Sequence, residues 1–308
     1  MATGKEMKEK LKQVFIAMML LVLAVTCIPA GNIRAALTNI KNSKILTADE
    51  TYHYDIDGDG KDESIYFTNT YSEKNGVSLT RIKLYINDKE VLLKQLEGKA
   101  AVVKLTNLNQ KDKYIEFEIT VTGMSDIIEF LGFYRYKNDK FIEMFSQNGI
   151  KAYQGFWLSR YADIRTGNSN TFYIKADSPL YISSIGSYFA YMPFRIKNDK
   201  ITAKKVKNYE MFSPSVKASS IHTTKAMQFK ASRNLTVYTK ASKSSKKAFT
   251  IKKGEKLTME KMQPASTKEG KESAFVYVKA GKRTGWMYFN NAKYDFEKPD
   301  FDETPGWG

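Results

Sequence analysis

The residues best placed to do chemistry in this chain are Asp55, Asp57, Asp59 and Glu63, all on the run Asp55-Ile56-Asp57-Gly58-Asp59-Gly60-Lys61-Asp62-Glu63. Aspartates at every second position, with glycine at 58 and 60 to turn the chain tightly, let the carboxylates converge while the residues between them face away. Hard oxygen donors on a flexible loop suit Ca²⁺. The Lys61 carbonyl and the Glu63 carboxylate complete the set of five ligands expected here. Four carboxylates repel one another without a cation, so binding is expected to order the loop. The competing reading is an acidic turn without metal. An EF-hand is not expected, because its twelfth loop position needs a bidentate glutamate and an exiting helix, whereas Tyr66 stands there and the flank alternates like a strand.

Catalytic constellations are scarce. The one cysteine, Cys27, falls in an apolar leader, and the two histidines, His53 and His222, are far apart and lack metal-hydrolase spacing. No G-x-S-x-G nucleophile elbow occurs. His53 reads as an ordinary structural or surface residue. The sequence therefore points to a non-enzymatic binding protein. The alternative is an accessory domain or a weak glycosidase-type hydrolase, since convergence of two carboxyl groups is not readable from sequence.

The elements that must position the loop are strands. Short runs rich in Tyr, Phe, Ile, Val and Thr alternate with period two, as in Ser64-Ile65-Tyr66-Phe67-Thr68 and in the segment from Tyr114 to Val121. Turns such as Asn87-Asp88, Asn138-Asp139 and Asn198-Asp199 separate them. An internal repeat aligns Phe133–Phe141 with Pro193–Ile201, and a weaker copy spans Leu84–Val91; each copy reads strand, Asn-Asp turn, strand. The expected fold class is all-β, with an incomplete propeller-like, curved antiparallel sheet assembly over residues 36–212. About three such units fit, fewer than a closed propeller needs.

Residues 1–35 read as a secretory signal helix: Lys5, Lys8, Lys10 and Lys12 precede the apolar run Val14–Val25, and cleavage after Ala35 fits best. The expected location is extracellular and wall-associated, with the membrane touched only through that segment, cleaved or retained as an anchor. Lipidation of Cys27 is disfavoured by Thr26 and Ala24 before it. The chain has 49 basic and 33 acidic residues, a formal charge of +16, and about +13 remains after the leader. For a secreted chain, that charge points to a polyanionic neighbour, of which wall teichoic acid is the nearest; nucleic acid would give a similar footprint but is not an expected partner of a secreted wall protein. A basic surface with no specific partner is the plain alternative. A polar segment at 213–224 reads as a linker, a second set of strands spans 225–293, and an acidic, aromatic tail covers 294–308. A monomer is expected.

Two resemblances sharpen this reading. Tyr54-Asp55-Ile56-Asp57-Gly58-Asp59-Gly60-Lys61-Asp62-Glu63-Ser64-Ile65 resembles the Ca²⁺ loop of integrin-α-like FG-GAP and VCBS repeats, where the loop joins two strands of a blade. The resemblance implies Ca²⁺ held by Asp55, Asp57, Asp59, Glu63 and the Lys61 carbonyl. A degenerate copy, Asn107–Glu116, replaces the first two aspartates with asparagine and lacks both glycines, and no metal is expected there. The segment Ala231–Phe289 resembles bacterial SH3-like domains through Arg233–Tyr238, the turn Lys252–Leu257, Val276–Lys279 and Gly285-Trp286-Met287. That resemblance implies a small β-barrel binding cell-wall peptides or glycans, the peptidoglycan partner expected here, while the β repeats are the candidate surface for a glycan or protein. Tyr238, Tyr277, Trp286 and Tyr288 are the candidate groove residues, although strand alternation is expected to turn some of them into the core.

Overall fold

The computed structural model describes residues 43–123, 128–148, 152–153, 156–157, 161–166, 170–213, 226–268 and 270–303. The expected leader at 1–35, nearly all of the expected linker, His222 and the last five residues lie outside them. The described residues are all-β, in antiparallel sheets, none of them closed. They contain no helix long and apolar enough to cross a membrane.

The first nine strands are β1 (Ser43–Leu46), β2 (Thr51–Tyr54), β3 (Glu63–Lys74), β4 (Val77–Ile86), β5 (Lys89–Glu97), β6 (Ala100–Thr106), β7 (Glu116–Thr122), β8 (Ile128–Lys137) and β9 (Lys140–Asn148). They form a four-stranded sheet, β2-β3-β4-β5, and a five-stranded sheet, β1-β6-β7-β8-β9. One hydrophobic core lies between them, drawing Ile65, Phe67, Ile82 and Leu84 from the first sheet and Val103, Leu105, Phe117 and Ile119 from the second. Alternation assigns the faces of β8: Phe130, Tyr134 and Tyr136 enter this core, whereas Leu131 and Phe133 enter a second core on the other side. The five-stranded sheet is thus a middle layer, which is why β7 and β8 read as nearly unbroken burial.

The short strands β10 (Ala152–Tyr153) and β11 (Phe156–Trp157) pair with each other. There follow β12 (Tyr161–Arg165), β13 (Thr171–Asp177), β14 (Phe189–Lys197), β15 (Lys200–Ala203), β16 (Tyr209–Phe212), β17 (Met227–Lys230), β18 (Leu235–Tyr238), β19 (Lys247–Ile251), β20 (Lys256–Ser266), β21 (Ser273–Ala280) and β22 (Arg283–Asn290). They make one sheet, β12-β13-β14-β16-β20-β21-β22-β18-β19, with β15 attached to β14 and β17 to β20. Strand β16 pairs with both β14 and β20, so the sheet runs unbroken across the position of the expected linker. The second core does the same, reaching from Leu108 to Phe301.

The three segments of the internal repeat form the hairpins β4–β5, β8–β9 and β14–β15. In each turn both residues have positive φ: 50° and 62° at Asn87-Asp88, 52° and 56° at Asn138-Asp139, 51° and 53° at Asn198-Asp199. Asparagine and aspartate tolerate that left-handed geometry, whose twist matches the flanking strands. The C-terminal tail lies against the strands after residue 225. Phe301 is buried 4.7 Å from the Phe229 ring, and Asp300 accepts from Arg233 Nε at 2.9 Å.

Candidate metal centre and aromatic face

The acidic loop connects β2 to β3, with Tyr54 and Glu63 paired at its base. Ile56, fully buried, pins it to the first core, and Ile56 O accepts from Ile115 N at 3.0 Å. Carboxylates in turn organise the backbone. Asp55 Oδ1 accepts from Gly58 N at 2.7 Å and Asp59 N at 3.1 Å, Asp55 Oδ2 accepts from Gly60 N at 3.0 Å, and Glu63 Oε2 accepts from Ile56 N at 3.0 Å. Asp57 Oδ1 accepts from Asp59 N at 3.0 Å, and one oxygen from each of Asp55, Asp57 and Glu63 lies within 4.8 Å of the others. Asp59 stands outside this trio and accepts from Lys61 N at 2.8 Å, while Lys61 is exposed. Burial, and then the neighbouring Asp57, Asp59 and Asp55, push the Glu63 carboxyl up to about 7 against the pull of the Ile56 amide. Among the described residues no lysine or arginine forms an ion pair with Asp55, Asp57, Asp59 or Glu63.

The degenerate copy lies beside it, between β6 and β7. A Cβ added at Gly58, where φ is +70°, would stand 2.5 Å from Lys113 Cβ, so the two loops touch at that glycine. The frame is the same: buried Leu108 replaces Ile56, and Leu108 N donates to Glu116 Oε2 at 3.1 Å as Ile56 N does to Glu63. The charge is supplied differently. Arg135 of β8 donates through Nε to Glu116 Oε1 at 3.0 Å, through Nη2 to Asp112 Oδ2 at 3.0 Å, and through Nη1 to Asp199 Oδ1 at 3.0 Å. A guanidinium thus sits among the carboxylates of the second loop, where the first has only carboxylates. Sequence reading missed Arg135. Its signal was a basic residue at an inward position of β8, in step with Leu131 and Phe133.

The four aromatic candidates share one face. Trp286 is directly opposite Tyr277 on β21 and Tyr238 on β18, and Tyr288 follows two residues along β22. All four are half-buried on the outer side, whereas Val276, Val278, Met287 and Phe289 between them fill the core. The expectation that some of the four turn inward is therefore corrected: register places every one of them in the same phase of the pleat. The Tyr277 and Trp286 rings meet edge to face at 5.2 Å, with Lys261 Nζ 4.5 Å from the Tyr277 ring centroid and Lys243 Nζ 3.9 Å from that of Tyr288. Gly285 allows β18 to approach, since a Cβ there would come within 2.6 Å of Val237 Cγ1 and 2.7 Å of Tyr238 O.

His53 is exposed on β2 opposite Ser64. No protein-family model, curated protein or solved structure matches this chain.

Proposed function

We propose that this chain is a secreted, non-catalytic wall-associated binding protein, braced by Ca²⁺ at the β2–β3 loop and attached to wall polymer through the aromatic face of β18, β21 and β22. The observation that carries the reading is the alignment of Tyr238, Tyr277, Trp286 and Tyr288 on one half-buried surface beside Lys243 and Lys261. Aromatic faces stack on sugar rings, and the two ammonium groups suit an anionic wall glycan or teichoic acid. The SH3-like resemblance supports the same assignment.

The donor set at the loop fits a hard cation. Asp55, Asp57 and Glu63 would hold Ca²⁺, with Asp59 and the Lys61 carbonyl as the remaining candidates. The ion would supply charge neutralisation and order, the part Arg135 plays in the adjoining loop. Both β2–β5 and β6–β9 are four-stranded meanders with the loop after the first strand, which supports blade-like units of the FG-GAP or VCBS kind.

Sedimentation of the full chain with purified peptidoglycan, with and without its teichoic acid, tests attachment. Trp286→Ala with Tyr277→Ala should release the protein into the supernatant while its thermal transition stays in place. Unchanged sedimentation of that variant would remove the aromatic face from the assignment.

A further inference from the structure

The geometry points to a second ligand site, for a neutral oligosaccharide, in a groove of about 630 Å³ on the outer face of β13 and β14. This site is separate from the C-terminal aromatic face and does not depend on it. Strand alternation sends Phe172 and Ile174 of β13 and Met192 and Phe194 of β14 into the core, leaving Tyr173 and Tyr191 on the outer side. Their rings stand at 80° with centroids 6.4 Å apart, and Tyr173 keeps 36% of its surface exposed in mid-strand. Arg165 on β12, opposite Tyr173, places its guanidinium carbon 5.8 Å from the centroid of the Tyr191 ring. The other wall carries Gln110, Asn208 and Glu210.

Three features select the ligand class. The charged side chains in the lining are one arginine and one glutamate, a balance that stands out in a chain of +16, so the groove is not built for the polyanion that suits the rest of the surface. Two tyrosine rings meeting nearly at right angles offer apolar faces to the C–H surface of a sugar ring. Amide, guanidinium and carboxylate groups around them match vicinal hydroxyls, and Asn208 Oδ1 is a half-buried residue's acceptor with no hydrogen-bond partner among the described residues, which a hydroxyl would satisfy. The volume is that of ordinary small-ligand sites.

Titration calorimetry of the full chain with cellotriose, chitotriose and maltotriose is the test. At least one should bind, Tyr173→Ala should weaken it at least tenfold with an unchanged thermal transition, and Tyr173→Phe, which keeps the ring, should restore it. Trp286→Ala should leave it alone. Binding that Trp286→Ala weakens while Tyr173→Ala leaves it intact would put the sugar on the C-terminal aromatic face and overturns the proposal. Binding of none of the three sugars, or binding indifferent to Tyr173→Ala, overturns the proposal. So does displacement of the sugar by polyglutamate, which would make the groove a polyanion site.

Discussion

Arg135 Nε donates to Glu116 Oε1 at 3.0 Å between two residues that are nearly or fully closed to solvent, at the point where β7 leaves the degenerate loop and pairs with the far end of β8. Burial pushes the Glu116 carboxyl up to about 7 against the pull of the guanidinium, and burial would lower the Arg135 pKa but attraction from Glu116, Asp112 and Asp199 together outweighs it and raises it. Removing one partner leaves a buried charge uncompensated. Arg135→Ala should therefore cost about 3–5 kcal/mol in urea unfolding. Arg135→Met with Glu116→Gln, which keeps an acceptor for Leu108 N, should recover most of that loss. Equal instability of single and double variants would show that the ion pair is not what holds the loop.

The first loop has the same need and lacks an arginine. Adding Ca²⁺ to the full chain should raise its thermal transition, by about 2.7 kcal/mol of stability at a hundredfold excess over the dissociation constant. Asp55→Asn with Asp57→Asn should abolish the response. A calcium-independent transition in the unaltered protein, followed by calorimetry, would count against the loop as a metal centre.

Protonation of Glu63 sets the pH dependence. Its folded-state pKa is raised from an ordinary 4.5 to about 7, so in the metal-free chain the folded state retains a proton that the unfolded state releases. The stability this contributes is fully present below about 4.5 and is lost as pH rises through about 7. Calcium needs the ionised carboxylate, so affinity should run the other way, strengthening as pH climbs through 7 with proton uptake reversed into release. Calorimetry in buffers of different ionisation enthalpy reads that release directly, and Glu63→Gln should remove it.

Gly58 is the contact between the two loops. Gly58→Ala imposes a left-handed backbone on a residue with a Cβ, a cost of roughly 1–2 kcal/mol, and drives that Cβ into Lys113. The loops should separate, visible as faster amide exchange at Ile115, whose N–H donates to Ile56 O at 3.0 Å. Gly60→Ala is the control, since nothing lies within 4 Å of a Cβ there. It should carry the backbone cost alone.

Local signals in the sequence settled local structure. Period-two alternation marked the strands because each side chain of a strand answers only to the face it points at. Asn-Asp pairs marked the three hairpins because few other residues accept positive φ at both turn positions. The aspartate and glycine spacing marked the acidic loop because its carboxylates bind amides within eight residues of themselves. What alternation cannot supply is register or partner. Trp286 and Tyr277 share a face only because β21 and β22 pair in that register; Arg135 reaches Glu116, 19 residues away, because β7 and β8 pair with those two residues opposite, and Asp199, 64 residues away, because the β14–β15 turn comes against β8. Strand β16 joins β14 to β20 across a segment that reads as a boundary, because hydrogen-bonding edges meet where the cores bring them and not where composition changes. Chain-local preferences fixed which residues turn and which extend; the tertiary structure alone decided which charges meet.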